Sequence, residues 1–201
     1  MSRLTLANDF VRIYDDFLPR ETFEPLLEYA NSDSYSINPE ESWNAARNGN
    51  AAALAGTIAY YRRDEALYQP WETLRYPTET ALDAFIEALH DVDGAPMNWN
   101  CISIRPHIHP SGSSLSLHHD GRDYRYTGSG TFYIHREWNF HWGGHLLVFD
   151  PGKRDAGVAL CVLPKPNRLV FLNHDVEHMV TRVDPRAGDR PRVALTALFG
   201  Q

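Results

Sequence analysis

SLSLHHDGRDY, residues 114–124, alternates apolar and polar residues until it ends on two histidines and an aspartate. Alternation with period two marks a half-buried strand. Successive strand side chains point to opposite faces. Leu115, Leu117 and His119 therefore share one face, and Ser116, His118 and Asp120 share the other. His118 and Asp120 can converge on one metal ion while His119 points away. A solvated polar turn is the bland reading of the same residues.

The texture of this stretch extends through the second half of the chain. Eight short alternating or apolar runs follow Gly94: 98–107, 113–120, 130–138, 144–150, 157–164, 167–173, 178–184 and 192–200. Turn residues, mostly Pro or Gly, separate them, which is the pattern of a small barrel or a two-sheet jelly roll. Gly128 and Gly130 read as a flexible hairpin after Asp120.

The first half reads as mainly helical. VRIYDDF (11–17) is an opening strand, and PRETFEPLLEYANS (19–32) a helix with Pro19 near its start. TETALDAFIEALHDV (78–92) places Ala81, Leu82, Phe85, Ile86 and Leu89 at helical spacing. NPEESWNAARNGNAAALAG (38–56) reads as a further helix walling a pocket. The expectation is one α+β domain over residues 1–201, with 1–94 as helical support and pocket wall and 95–201 as the β core.

Composition narrows the function. The 201 residues carry a formal charge of −7, so no basic footprint points to nucleic acid. No apolar stretch approaches membrane-spanning length, and the opening MSRLTLANDF lacks a signal-peptide core. Two cysteines, 60 residues apart, make no disulfide framework. A cytoplasmic location is expected. Of the ten histidines, all except His90 lie between 107 and 178.

A metal at His118 and Asp120 needs a third ligand. His178 suits this role: it begins one strand just after another, where a side chain can reach a barrel mouth. Two histidines and one carboxylate leave coordination positions open, as in the facial triad of non-haem iron(II) oxygenases. His174 competes, since His174 and His178 have the i, i+4 spacing of a helical zinc pair. NHDVEHMV (173–180) reads as loop and strand rather than helix.

LSLHHDG (115–121), the aromatic strand and Gly-Gly segment of 130–150, PNRLVFLNHDVEHMV (166–180) and RVALTALFG (192–200) resemble, in that order, the iron(II)- and 2-oxoglutarate-dependent oxygenases of the prolyl-4-hydroxylase-like group. VRIYDDFLPRETFEPLL (11–27) is similar to the family's opening strand and helix. The resemblance implies a double-stranded β-helix, or jelly-roll, core. It implies a reaction in which 2-oxoglutarate and O2 become succinate and CO2 while an unactivated C–H bond is oxidised. His118, Asp120 and His178 match the iron ligands. Arg192 matches the cation for the distal carboxylate of 2-oxoglutarate, with Arg190 as the alternative. Tyr133 and Thr196 match its companions. Because Asp120 is present, the resemblance points to hydroxylation or another hydrogen-abstraction outcome rather than halogenation.

The chain also departs from the family. His145 stands where an acidic residue is frequent, His135 where asparagine is, and Leu198 where tryptophan is. Arg105, His135 and His145 are the candidate substrate contacts. The expected activity is hydroxylation of a small molecule or an amino acid derivative. The alternatives are hydroxylation of a protein side chain such as prolyl, and a non-catalytic jelly roll that binds metal or ligand. No nucleic-acid or membrane partner is expected, and oligomeric state stays open, a homodimer included.

Overall fold

A computed structural model describes residues 3–32, 35–37, 51–62, 79–90, 92, 101–120 and 126–200. In chain order the strands are β1 (Arg3–Ala7), β2 (Val11–Asp15), β3 (Ser36–Ile37), β4 (Leu54–Ala55), β5 (Ala59–Arg62), β6 (Cys101–His109), β7 (Leu115–His118), β8 (Tyr126–Tyr133), β9 (Leu146–Phe149), β10 (Ala159–Val162), β11 (Leu169–Asn173), β12 (His178–Val180) and β13 (Arg192–Gly200). The helices are α1 (Arg20–Ser32) and α2 (Glu79–His90).

The strands form two antiparallel sheets. The larger runs β1-β2-β11-β8-β13-β6-β4-β3, with β5 also pairing β6, and the smaller runs β10-β9-β12-β7. Each of the eight runs read after Gly94 contributes a strand. The sheets meet through Ile13, Tyr133, Val170 and Ala194 of the larger and Leu146, Val148, Val162 and Val180 of the smaller.

The other face of the large sheet carries the helices. Leu26, Leu27 and Ala30 of α1 and Leu82, Phe85, Ile86 and Leu89 of α2 bury against Phe132, Leu195, Ala197 and Phe199. Phe85 stacks on Phe132 with ring centroids 5.0 Å apart. Burying such a side chain is worth about 1.5–3 kcal/mol. This two-sided burial explains the continuous apolar run of β11. Leu169 and Phe171 face the helices, while Val170 and Leu172 face the small sheet.

Three local readings change. The first half is only partly helical, because β1, β3, β4 and β5 join the large sheet beside the expected opening strand, β2. The alanine-rich run ends as a strand: Leu54 and Ala55 pair with Ile108 and His107, so tertiary pairing overrides helix propensity. Residues 38–50 of that reading lie outside the described residues. Gly128 and Gly130 form no hairpin but lie inside β8. A Cβ on Gly128 would come within 2.7 Å of the Phe171 ring and 2.8 Å of the Leu172 carbonyl. Close approach, not flexibility, requires glycine there.

Candidate metal centre and pocket

The stretch that opened the sequence reading becomes β7 and the turn after it. β7 pairs antiparallel with β12, and His118 sits directly opposite His178. Their ring centroids are 4.3 Å apart. His118 Nδ1 lies 2.8 Å from the Ser116 carbonyl, and His178 Nδ1 lies 3.0 Å from that of Val176. A carbonyl only accepts, so each Nδ1–H donates and each neutral ring presents an unprotonated Nε2.

Those two Nε2 atoms converge on one carboxylate. Asp120 Oδ1 is 3.8 Å from His118 Nε2, and Asp120 Oδ2 is 3.5 Å from His178 Nε2. One ligand atom from each of the three residues lies within 4.8 Å of the others, so the group can hold a metal ion. A backbone carbonyl bonded to the far ring nitrogen is the usual way a metal-binding histidine is oriented. Burial lowers the His178 pKa, with Asp120 pulling the other way. The neutral imidazole that a metal requires is thus favoured.

The cluster opens into a cavity of about 460 Å³ between the sheets. β6 and β13 form one wall. Ser103, Arg105, His107 and His109 line it from β6, and Arg192, Thr196 and Leu198 from β13. Arg192 pairs with His109 across the ladder, and Thr196 with Arg105 and Thr131. Arg192 is only 2% exposed, its Nη2 donating to the Tyr133 hydroxyl at 3.4 Å. Its guanidinium carbon lies 4.9 Å from the Tyr133 ring centre.

Two buried atoms in this wall lack partners: Arg192 Nε and His109 Nδ1. Unsatisfied buried polar atoms are uncommon and suggest a missing ligand. A carboxylate at this end of the cavity would satisfy the arginine. His107 is held down at about 4 by burial and by the Arg105 and Arg192 guanidiniums. His109 is likewise lowered well below the ordinary histidine range, chiefly by burial. Both are uncharged at neutral pH.

The structure therefore brings His118, Asp120, His178, Arg192, Thr196 and Arg105 to one cavity, with Tyr133 buried behind Arg192. It does not bring His135 or His145 there. The His135 Nε2–H donates to the Pro164 carbonyl at 2.6 Å, and its Nδ1 accepts from the Val193 amide at 3.4 Å, so both ring nitrogens are committed. His145 stacks on Phe140 and its Nε2 meets the Phe140 carbonyl at 3.0 Å. Neither ring is among the residues that line the cavity. His174 pairs with Asp175 at 2.7 Å, outside the His-Asp-His cluster, and His119 turns toward the same carboxylate at 3.7 Å. Ile58 and Tyr60 were missed as pocket residues. The alternating TIAYYR (57–62) was their signal.

Residues 104–200 match the family model described as the 2OG-Fe(II) oxygenase superfamily. No curated protein sequence matches the chain. Among solved structures, a Pseudomonas putida prolyl-4-hydroxylase shares the fold at TM-score 0.64 and 20% identity, over 95% of this chain and 92% of that one. A 2OG-Fe(II) oxygenase family protein from Burkholderia pseudomallei does so at 0.67 and 12%, over 94% and 85%. A Trichoplax adhaerens prolyl hydroxylase, in complex with a hypoxia inducible factor peptide fragment, does so at 0.63 and 16%, over 94% and 83%. These likenesses establish the jelly-roll fold. Residues 104–200, which carry the His-Asp-His cluster, form a 2OG-Fe(II) oxygenase domain, and the chain is a dioxygenase that uses iron(II), 2-oxoglutarate and O2.

Proposed function

We propose that this dioxygenase hydroxylates an unactivated C–H bond of a small molecule or an amino acid derivative, with succinate and CO2 as co-products. The cavity of about 460 Å³ beside the His-Asp-His cluster carries this reading, since small-ligand pockets span roughly 300–1,000 Å³. His118, Asp120 and His178 would hold iron(II). Bound there, the metal with 2-oxoglutarate and O2 supplies the oxidising chemistry.

The remaining work belongs to the protein. Arg192 offers its planar fork to the distal carboxylate of 2-oxoglutarate, with each charge-assisted bond worth roughly 1.5–3 kcal/mol. Tyr133 supports the guanidinium from behind, and the Thr196 hydroxyl shares its strand face. Leu115, Leu146 and Val180 line the cavity with apolar surface and restrict water. We take residues 1–201 as one oxygenase domain, since the first-half strands extend the same sheet as β6 and β13.

A second reading is hydroxylation of a protein side chain such as prolyl. It is favoured by the prolyl hydroxylases among the similar folds, one of them with a bound peptide. Succinate release, followed by product mass spectrometry on small acids and on prolyl peptides, separates the two. Turnover confined to peptides or intact proteins would overturn the small-molecule reading.

A further inference from the structure

Arg105 has no charged partner among the described residues. It lies on the cavity wall and is only partly buried. Its Nε donates to the Gly56 carbonyl at 2.8 Å. That bond fixes the stem, and among the described residues neither terminal nitrogen has a hydrogen-bond partner. Among the described residues no carboxylate pairs with it, and Asp120 is the only acidic residue lining the cavity.

Arg105 is rooted away from Arg192 on the cavity wall. Arg105 pairs with Thr196 and Arg192 with His109, so the two guanidiniums are rooted four register positions apart. That is roughly 13 Å along the strand. The charges point the same way. Iron(II) brings two positive charges, Asp120 one negative, 2-oxoglutarate two negative and Arg192 one positive, and these cancel. Among the described residues Arg105 is left as one uncompensated positive charge, because His107 and His109 of the wall are neutral. Besides the uncharged polar side chains of Ser103, Thr131 and Thr196, the cavity offers Arg105 apolar surface. Ile58, Tyr60 and Leu117 line the same cavity and are 37%, 41% and 45% exposed.

We propose that Arg105 binds the carboxylate of the substrate, and that the substrate is a monocarboxylic acid with an apolar body and no free ammonium group. The terminal guanidinium nitrogens hold the carboxylate by two parallel bonds. Ile58, Tyr60 and Leu117 cover the body. An ammonium would restore the excess positive charge, and no described acidic residue is free to receive it. An uncharged internal residue of a polypeptide would leave Arg105 unpaired in a partly desolvated site, which is costly. This inference rests on the small-molecule reading above.

The test uses the protein loaded anaerobically with iron(II) and 2-oxoglutarate. Calorimetry then measures binding of phenylacetate, 4-methylpentanoate and N-acetyl-L-leucine, each beside its primary amide, with L-leucine and a prolyl peptide for comparison. The expected result is at least tenfold tighter binding of the acids than of their amides, with L-leucine weaker than N-acetyl-L-leucine. Arg105→Gln should abolish the acid preference while the visible absorption of the iron–2-oxoglutarate chelate still forms. Equal binding of acids and amides, binding of the peptide alone, binding of none of the acids, or a preference that survives in Arg105→Gln would each overturn the inference. If the chelate absorption never forms in the unmodified protein, the site reading beneath it fails instead.

Discussion

His118 and His178 face each other across the β7–β12 pair with ring centroids 4.3 Å apart, and each donates its Nδ1–H to the carbonyl two residues before it. The repeated contact aims both Nε2 atoms at Asp120. One bond per ring thus sets tautomer and direction together.

His118→Ala, Asp120→Ala and His178→Ala should each lose iron(II), with affinity falling at least about 100-fold. Circular dichroism should stay close to that of the unmodified protein. His119→Ala should retain the metal, since its ring turns toward Asp175. Metal content after dialysis checks all four. Loss of iron in His119→Ala with retention in His118→Ala would reverse the strand phase.

Arg192→Gln should weaken 2-oxoglutarate binding by about 2–4 kcal/mol, or roughly 30- to 1,000-fold, through loss of charge-assisted bonds. Thr196→Val should cost about 1 kcal/mol, the net worth of one neutral hydrogen bond. Iron binding should persist in both variants. Titration of 2-oxoglutarate into the iron-loaded protein measures these differences.

His135 gives a pH prediction. Burial holds it at about 4, against 6.5 for an ordinary histidine. Between these values the unfolded chain takes up a proton that the folded chain refuses. Stability should therefore be complete above about 6.5 and fall as pH drops toward about 4. His135→Gln should make the decline shallower, without removing the share due to His107 and His109. Thermal melts at stepped pH check the slope. A steeper decline in the variant would mean that His135 is charged in the folded protein.

Gly128→Ala should destabilise the protein by about 1–3 kcal/mol, because the added methyl overlaps the Phe171 ring and the Leu172 carbonyl. Chemical denaturation gives the value. A neutral result would return Gly128 to the role of a loosely held loop residue.

Much of this was legible in the sequence, for stated reasons. Alternation fixed which face His118 and Asp120 share, and Arg192, Ala194 and Thr196 likewise lie on one face of β13. The β core could be read because its runs alternate or are apolar and lie between turn residues, mostly Pro or Gly. β4 is only two residues within an alanine-rich run, and a pairing with β6 decides it. No local pattern reports such a pairing. His135 failed for a related reason. It continues the face of Thr131 and Tyr133 by alternation, but β8 ends at Tyr133, and the chain beyond carries the ring to the Pro164 carbonyl. The exposed or buried fate of a polar residue beyond a strand end depends on contacts distant in sequence.

The most direct test of the central claim is an anaerobic titration of the metal-free protein with iron(II) and 2-oxoglutarate, followed by visible absorption. A single chelate per chain, whose band requires both components and disappears in Asp120→Ala, is the predicted result. Iron that binds without producing the band when 2-oxoglutarate is added would contradict the assignment of His118, Asp120, His178 and Arg192 to one oxygenase site.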